Sequence, residues 1–335
     1  MQEPRQGALD KRRIGTTRLK VTTLGLGSGS LAGNSWPVAE ADARGVFPRA
    51  LDRGVNLVDT SPYYGFGKAE HFVGDALRGR EGIVLSTKVG RLLVPVNGKR
   101  ERKHGWQDPL PFDAVYDYSY DGVMRSYEDS LQRLGLDRID ILLVHDIGDE
   151  GHGTTGKRYW RQLKSGGYKA LQKLRKSGAI SAIGLGTNEW QVPMQAFELG
   201  DWDVVLLAGR YTLLEQTALS PFLETCVKRK VSVICGGPFN SGILVGGTTW
   251  NYAKAPKRVV DKVRAIEAIC TEFGVPLPAA ALQFPIRHQA IATVLPGPRT
   301  PAEFDQIWAW WNTPIPDRLW SALRERGLLD PKAPI

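Results

Sequence analysis

Residues 119–145 read SYDGVMRSYEDSLQRLGLDRIDILLVH, and two different periods meet inside them. Val123, Tyr127, Leu131 and Leu134 recur on one helical face, and Gly135 follows as a stop. Within 139–145, residues 141–144 are apolar on consecutive positions rather than alternate ones, which suits a strand buried on both faces of a parallel sheet. Helix followed by buried strand is one α/β unit. The same rhythm runs outward in both directions. Strand candidates stand at 22–27, 55–59, 83–88, 139–145, 180–186, 203–207, 231–235 and 291–295, with helical patterns between them. One of these, 168–177, places Tyr168, Leu171 and Leu174 on one face before Gly178.

Eight such strands predict an α/β (β/α)8 TIM barrel. No Pro/Gly/Ser linker divides the chain and no internal repeat exceeds the β–α rhythm, so residues 1–335 are expected to form one domain. Two stretches exceed ordinary barrel loops, 89–118 and 236–256, and are expected over the catalytic face. Residues 13–19 read as a small hairpin closing the other end.

Composition narrows the function classes. With 42% hydrophobic and 24% charged residues, the 335-residue chain can bury a large core and is not disordered. Its 37 Gly and 21 Pro follow no short period, which excludes collagen. No apolar run reaches the roughly 18–20 residues of a membrane helix, and MQEPRQGALDKRR has no apolar stretch behind its charges. A cytoplasmic location with no membrane partner is therefore expected. Cys226, Cys235 and Cys270 are sparse and lack CxxC spacing, arguing against both disulfides and a zinc site. The net charge of +9 is scattered, with local runs only at 11–13 and 99–103, which disfavours nucleic acid as a partner. The second run could steer an anionic cofactor.

Asp59, Lys88 and His145 each end a predicted strand, and in a parallel barrel those ends converge on one rim. Asp59-Thr60-Ser61-Pro62-Tyr63-Tyr64-Gly65 adds a phenol on the adjoining loop. A tyrosine, with a pKa near ~10, is a poor acid or base at neutral pH. A neighbouring ammonium lowers that pKa, and a carboxylate keeps the ammonium charged. A neutral histidine can hydrogen-bond a carbonyl or alcohol oxygen. The set suits proton transfer at an oxygen whose carbon gains or loses hydride. Singly, each residue also has a bland reading, as a helix cap, a surface charge or a local hydrogen bond. A Rossmann reading is available at Gly27-Ser28-Gly29-Ser30-Leu31-Ala32, but Gly33-Asn34-Ser35-Trp36-Pro37 interrupts the helix that motif requires. A metal-dependent barrel hydrolase would need clustered strand-end histidines, and His145 is the only such His.

These segments resemble the aldo-keto reductase family, and the likeness covers nearly the whole chain. Asp59–Gly65, Ser86-Thr87-Lys88 and Leu142-Leu143-Val144-His145 look like its three catalytic segments, in order and each on its expected strand. The resemblance implies Tyr64 as acid/base, Lys88 and Asp59 tuning it, and His145 orienting substrate. Longer stretches, among them residues 116–122, 206–216 and 236–242, look closest to the branch of aldose 1-dehydrogenases acting on L-fucose-like (D-threo) sugars. In that branch the anomeric hydroxyl is oxidised to a lactone. Pyridoxal 4-dehydrogenation is a sister activity, and a broader aldehyde or ketone reductase or a weakly active cofactor-binding subunit are further readings.

The resemblance also implies a nicotinamide cofactor. Tyr211 is expected to stack on the nicotinamide, with Thr187 and Asn188 on its carboxamide. Ala208 stands where many relatives carry Gln. Gly27 and Ser28 join the cofactor set, and the glycine-rich loop with Gly236, Gly237, Pro238, Asn240 and Gly242 is expected over the pyrophosphate. Gly297 and Glu303 stand where NADPH-preferring relatives carry Lys and Arg. A carboxylate repels a 2′-phosphate, so NAD is expected over NADP, with Arg299 as the residue that could still reach a phosphate. Trp36, Trp106 and Arg91 are the substrate candidates. The expected partner is a small sugar or pyridoxal-like molecule.

Overall fold

A computed structural model describes residues 9–98 and 104–335. The basic run at 99–103, and with it the steering expectation, lies outside the described residues. Among them, eight parallel strands succeed one another around a barrel: β1 (Leu26–Gly27), β2 (Leu57–Asp59), β3 (Val84–Val89), β4 (Ile141–His145), β5 (Ala182–Thr187), β6 (Val204–Ala208), β7 (Ser232–Gly236) and β8 (Ile291–Leu295). Closure runs through a parallel bridge between Leu24 and Val294, with the Gly25 amide donating to Val294 O and the Val294 amide to Thr23 O, both at 2.9 Å. This is the (β/α)8 barrel that the runs of consecutive apolar residues predict.

Those runs are double-sided because each strand packs twice. Leu57, Val84, Ile141, Leu143, Ala182, Val204 and Ile234 fill the barrel interior. Their neighbours Val58, Leu85, Leu142, Val144, Ile183 and Val205 pack outward into a second cluster with the helices. The helix Tyr120–Leu134 starts where the Ser119 hydroxyl accepts from the Gly122 amide and stops at Gly135 in left-handed backbone. It buries Val123, Tyr127 and Leu134. The helix Tyr168–Lys176 buries Tyr168, Leu171 and Leu174 as its spacing predicts.

One predicted strand divides in two. Within 22–27, Thr22 belongs to a hairpin, Lys11–Arg13 against Lys20–Thr22, while Leu26–Gly27 forms the barrel strand and Leu24 bridges to β8. The expected hairpin at 13–19 is thus chiefly its turn. This hairpin caps the N-terminal end, where Ile14 and Val21 join the interior cluster and Arg12 Nη1 donates to Ile291 O at 2.7 Å.

The two long segments lie over the opposite end. Gly90, with φ +100° and the Tyr118 ring where a side chain would stand, turns β3 into a second hairpin, Arg91–Pro95 against Phe112–Tyr116. Segment 236–256 carries a short turn, Asn240–Val245, and a two-residue ladder, Thr249–Trp250 against Ala253–Lys254. No single helix among the described residues is long and apolar enough to cross a membrane.

Candidate active site

Parallel register aligns the strand ends that carry the chemistry: Asp59 pairs with Ser86, Lys88 with Leu143 and His145 with Gly186. Lys88 Nζ lies 2.6 Å from Asp59 Oδ2 and donates to Thr60 O at 2.8 Å. Ser86 Oγ donates to the other Asp59 oxygen at 2.9 Å. Both charged groups are almost wholly buried, Lys88 at 1% and Asp59 at 3% exposure. The Lys88 ammonium stands 4.6 Å from the centre of the Tyr64 ring, and that ring meets His145 edge-on at 5.9 Å. The four residues form one contiguous group.

Burial sets the electrostatics. It works to lower the Lys88 pKa, but the Asp59 charge, then Tyr64 and their hydrogen bonds, outweigh it and the lysine ends above its ordinary value. Burial pushes Asp59 up while Lys88 and Ser86 pull it down. For Tyr64 burial prevails over the Lys88 charge, and the phenol is pushed up to about 12. The sequence reading anticipates the direction of the lysine's pull but not that burial exceeds it. His145 falls well below its ordinary pKa through burial, then Arg91, Lys88 and His152, so its ring is neutral.

A cleft of about 250 Å³ opens onto this group. Tyr63, Trp106 and Tyr252 supply flat aromatic walls, while Arg91 and Asp146 make a charged side. Arg91 is buried, bonded through Nη2 to Asp146 Oδ2 at 2.8 Å, with its guanidinium 4.2 Å from the Tyr63 ring centre. Arg91 is thus held at the cleft wall by a half-buried ion pair. Asp146 holds a φ of +39°, uncommon for a residue with a side chain.

Thr187 and Asn188 line the same cleft, beside Gly186, Leu206 and Ala208. Thr187 Oγ1 accepts from the Glu189 amide at 3.0 Å, leaving its hydrogen free to donate. The Ser28 hydroxyl is buried with no partner among the described residues, and the Ser28 amide donates to Asp59 O at 2.9 Å. Gly27 donates to Pro296 O at 3.0 Å, which brings the end of β1 against the segment after β8. A side chain at Gly297 would stand 2.5 Å from Ser30 Oγ. A larger residue at 297 would have to push the Ser30 hydroxyl aside. Gly237, Asn240, Ser241 and Gly242 all adopt left-handed backbone, and a Cβ at Gly237 or Gly242 would meet Gly209 N at 3.8 Å or Thr249 Oγ1 at 3.9 Å, ordinary contact distances.

Four of the expected residues stand as follows. Tyr211 is buried, packed on Phe284 and His288 at 5.4 Å each, and is not among the residues lining the cleft. Trp36 is 61% exposed and does not line the cleft; Asn34, bridged to Trp106, lines it instead. The Asn240 side chain is consumed in the scaffold, accepting from Thr212 Oγ1 at 2.6 Å and donating to Gly209 O and Glu215 Oε2. Glu303 does not stand as a free carboxylate. It bonds Arg299 Nη2 at 2.5 Å and the Arg299 amide at 2.7 Å. Sequence reading passed over Asp146 and Tyr252, although the first directly follows His145 and the second lies in a segment marked as pocket-forming.

A barrel that gathers lysine, carboxylate, phenol and neutral histidine at one rim defines a class of oxidoreductase. Residues 23–326 match the Aldo/keto reductase family. The chain is 44% identical to a pyridoxal 4-dehydrogenase of Microbacterium luteolum, covering 96% of this chain and 98% of that one. It is 33% identical to a D-threo-aldose 1-dehydrogenase of a Pseudomonas species, covering 93% and 95%. In fold it resembles an aldo-keto reductase from Bacillus halodurans in its holo form, with a TM-score of 0.75 at 23% identity over 96% of this chain and 97% of that one. The chain belongs to the aldo/keto reductase family and is an oxidoreductase of that type, a family that works with nicotinamide cofactors.

Proposed function

We propose that the protein is an NAD-dependent dehydrogenase of cyclic hemiacetals, with pyridoxal as its substrate and 4-pyridoxolactone as its product. The observation that carries this reading is a Lys88–Asp59 pair set against Tyr64 in a cleft walled by flat aromatic rings. Similarity to the pyridoxal 4-dehydrogenase supports the choice of substrate. A second reading, oxidation of an L-fucose-like aldose at C1, is favoured by the Arg91–Asp146 side of the cleft, which suits several hydroxyl groups.

The cofactor fits what the residues offer. Thr187 and Asn188 would hold the nicotinamide amide, with Leu206 and Ala208 as the wall beside it. The left-handed backbone at Gly237 and Gly242 would take the pyrophosphate. A bound nicotinamide dinucleotide supplies the hydride acceptor. His145 donates a hydrogen bond to the hemiacetal oxygen and fixes its position. As the carbon gives up its hydride, Tyr64 takes the hydroxyl proton and the C–O bond becomes the lactone carbonyl. The Lys88 ammonium, kept charged by Asp59, offsets part of the burial that raises the Tyr64 pKa, and so eases formation of the phenolate that takes that proton. The aromatic walls exclude water from the reacting carbon.

Initial rates with pyridoxal and with L-fucose, each against NAD and NADP, test the proposal. Fastest turnover is expected with pyridoxal and NAD. A faster sugar moves the substrate to the second reading, and no turnover on either hemiacetal overturns both.

A further inference from the structure

Ser61 has no part in the chemistry described so far, yet its hydroxyl is buried 3.0 Å from His145 Nδ1. The direction of that bond follows from counting hydrogens. The Tyr63 amide can only donate, and it points at Ser61 Oγ from 3.1 Å. Ser61 thus already accepts one bond, and among the described residues the remaining partner for its hydrogen is His145 Nδ1. With the proton on Nδ1 instead, Ser61 Oγ would accept twice and its own hydrogen would be buried facing nothing.

The far side of the ring agrees. His145 Nε2 lies 3.4 Å from Asp146 Oδ2, where an N–H is attracted and a lone pair repelled. Asp146 is held in place by Arg91 Nη2 at 2.8 Å and by its own amide, which donates to Gly186 O at 2.8 Å. Because the ring is neutral, it has a single hydrogen to place, and both neighbours assign it to Nε2. Nε2 at 3.4 Å is only loosely held by Asp146, so a substrate oxygen in the cleft can take over that hydrogen bond.

We propose that Ser61 is a positioning residue: by donating to Nδ1 it fixes His145 as the Nε2–H tautomer, the form that can donate to a substrate oxygen. The proposal rests on the reading of His145 as the group that orients substrate, and supplies the origin of its tautomer. Asp59, which ends β2, and Ser61, two residues on, then serve different members of the site, one through Lys88 and the other through His145.

The test is the long-range 1H–15N spectrum of the full chain at neutral pH, with His145→Asn used to assign the signal. Wild type should show a protonated Nε2 and an unprotonated Nδ1 at His145. Ser61→Ala should give mixed tautomers and a kcat lower by about tenfold, with NAD binding unchanged, and Ser61→Thr should restore most of both. A wild-type His145 protonated at Nδ1 overturns the proposal whatever the variants do. So does a Ser61→Ala protein that keeps both tautomer and kcat. The spectrum needs no substrate, so an error in the substrate reading leaves it standing.

Discussion

Lys88 is the residue on which the others converge. Its ammonium is bonded to Asp59 at 2.6 Å and to Thr60 O at 2.8 Å, and it faces the Tyr64 ring. Such a buried pair does two separable things. It holds charge next to the phenol, and it satisfies two groups that would be costly if left alone. Lys88→Met should therefore lower kcat by about 100-fold or more, and destabilise the fold by about 3–5 kcal/mol because Asp59 is left buried and unpaired. Adding Asp59→Asn should recover much of the melting temperature and none of the kcat. Thermal unfolding and steady-state rates on the single and double variants read both effects, and recovery of kcat in the double variant would contradict the division. At this scale the strand-end residues are legible in the sequence, since a carboxylate, an ammonium and an imidazole each close a strand. Their balance is not legible. Whether Lys88 or burial governs Tyr64 depends on how deeply the phenol sits, and the packing of Trp106 and His145 against it sets that depth.

The helix Pro301–Trp311 shows how one element joins local structure to cofactor choice. Thr300 accepts from the Glu303 amide and Pro301 fits the first turn, so the sequence announces the start of this helix. Glu303 then folds back on Arg299, and the two charges cancel. A 2′-phosphate at this position would have to take Arg299 from Glu303, whereas a 2′-hydroxyl leaves the pair intact. We expect Glu303→Gln to raise the ratio of kcat/KM for NADP to that for NAD by roughly tenfold, through a freed Arg299. An unchanged ratio would place the 2′ position elsewhere. Sequence shows the carboxylate and the guanidinium four residues apart; it does not show that they bond each other. The same gap explains Tyr211. Its position after β6 is legible, but whether the ring turns toward the cleft or back onto Phe284 is decided by packing between elements remote in sequence.

Across the whole molecule the barrel separates stability from chemistry. One end is closed by the hairpin of Lys11–Arg13 and Lys20–Thr22, tied to β8 by Arg12; the other bears the cleft and the long segments above it. The barrel is legible because parallel strands buried on both faces leave an unmistakable run of apolar residues. Its closure is less so, since β1 is only two residues long and completes the ring through the Leu24–Val294 bridge. What the cleft accepts is least legible, because its walls come from Trp106, Tyr252 and the Arg91 hairpin, which meet only when the chain is folded. The proposed oxidation turns on Tyr64 taking the proton while hydride leaves the substrate. The direct measurement is Tyr64→Phe, assayed for pyridoxal oxidation with NAD and, separately, for NAD binding by fluorescence titration. Turnover should fall by at least about 100-fold with the NAD dissociation constant nearly unchanged; turnover that survives, or that is lost together with NAD binding, would contradict the role given to Tyr64.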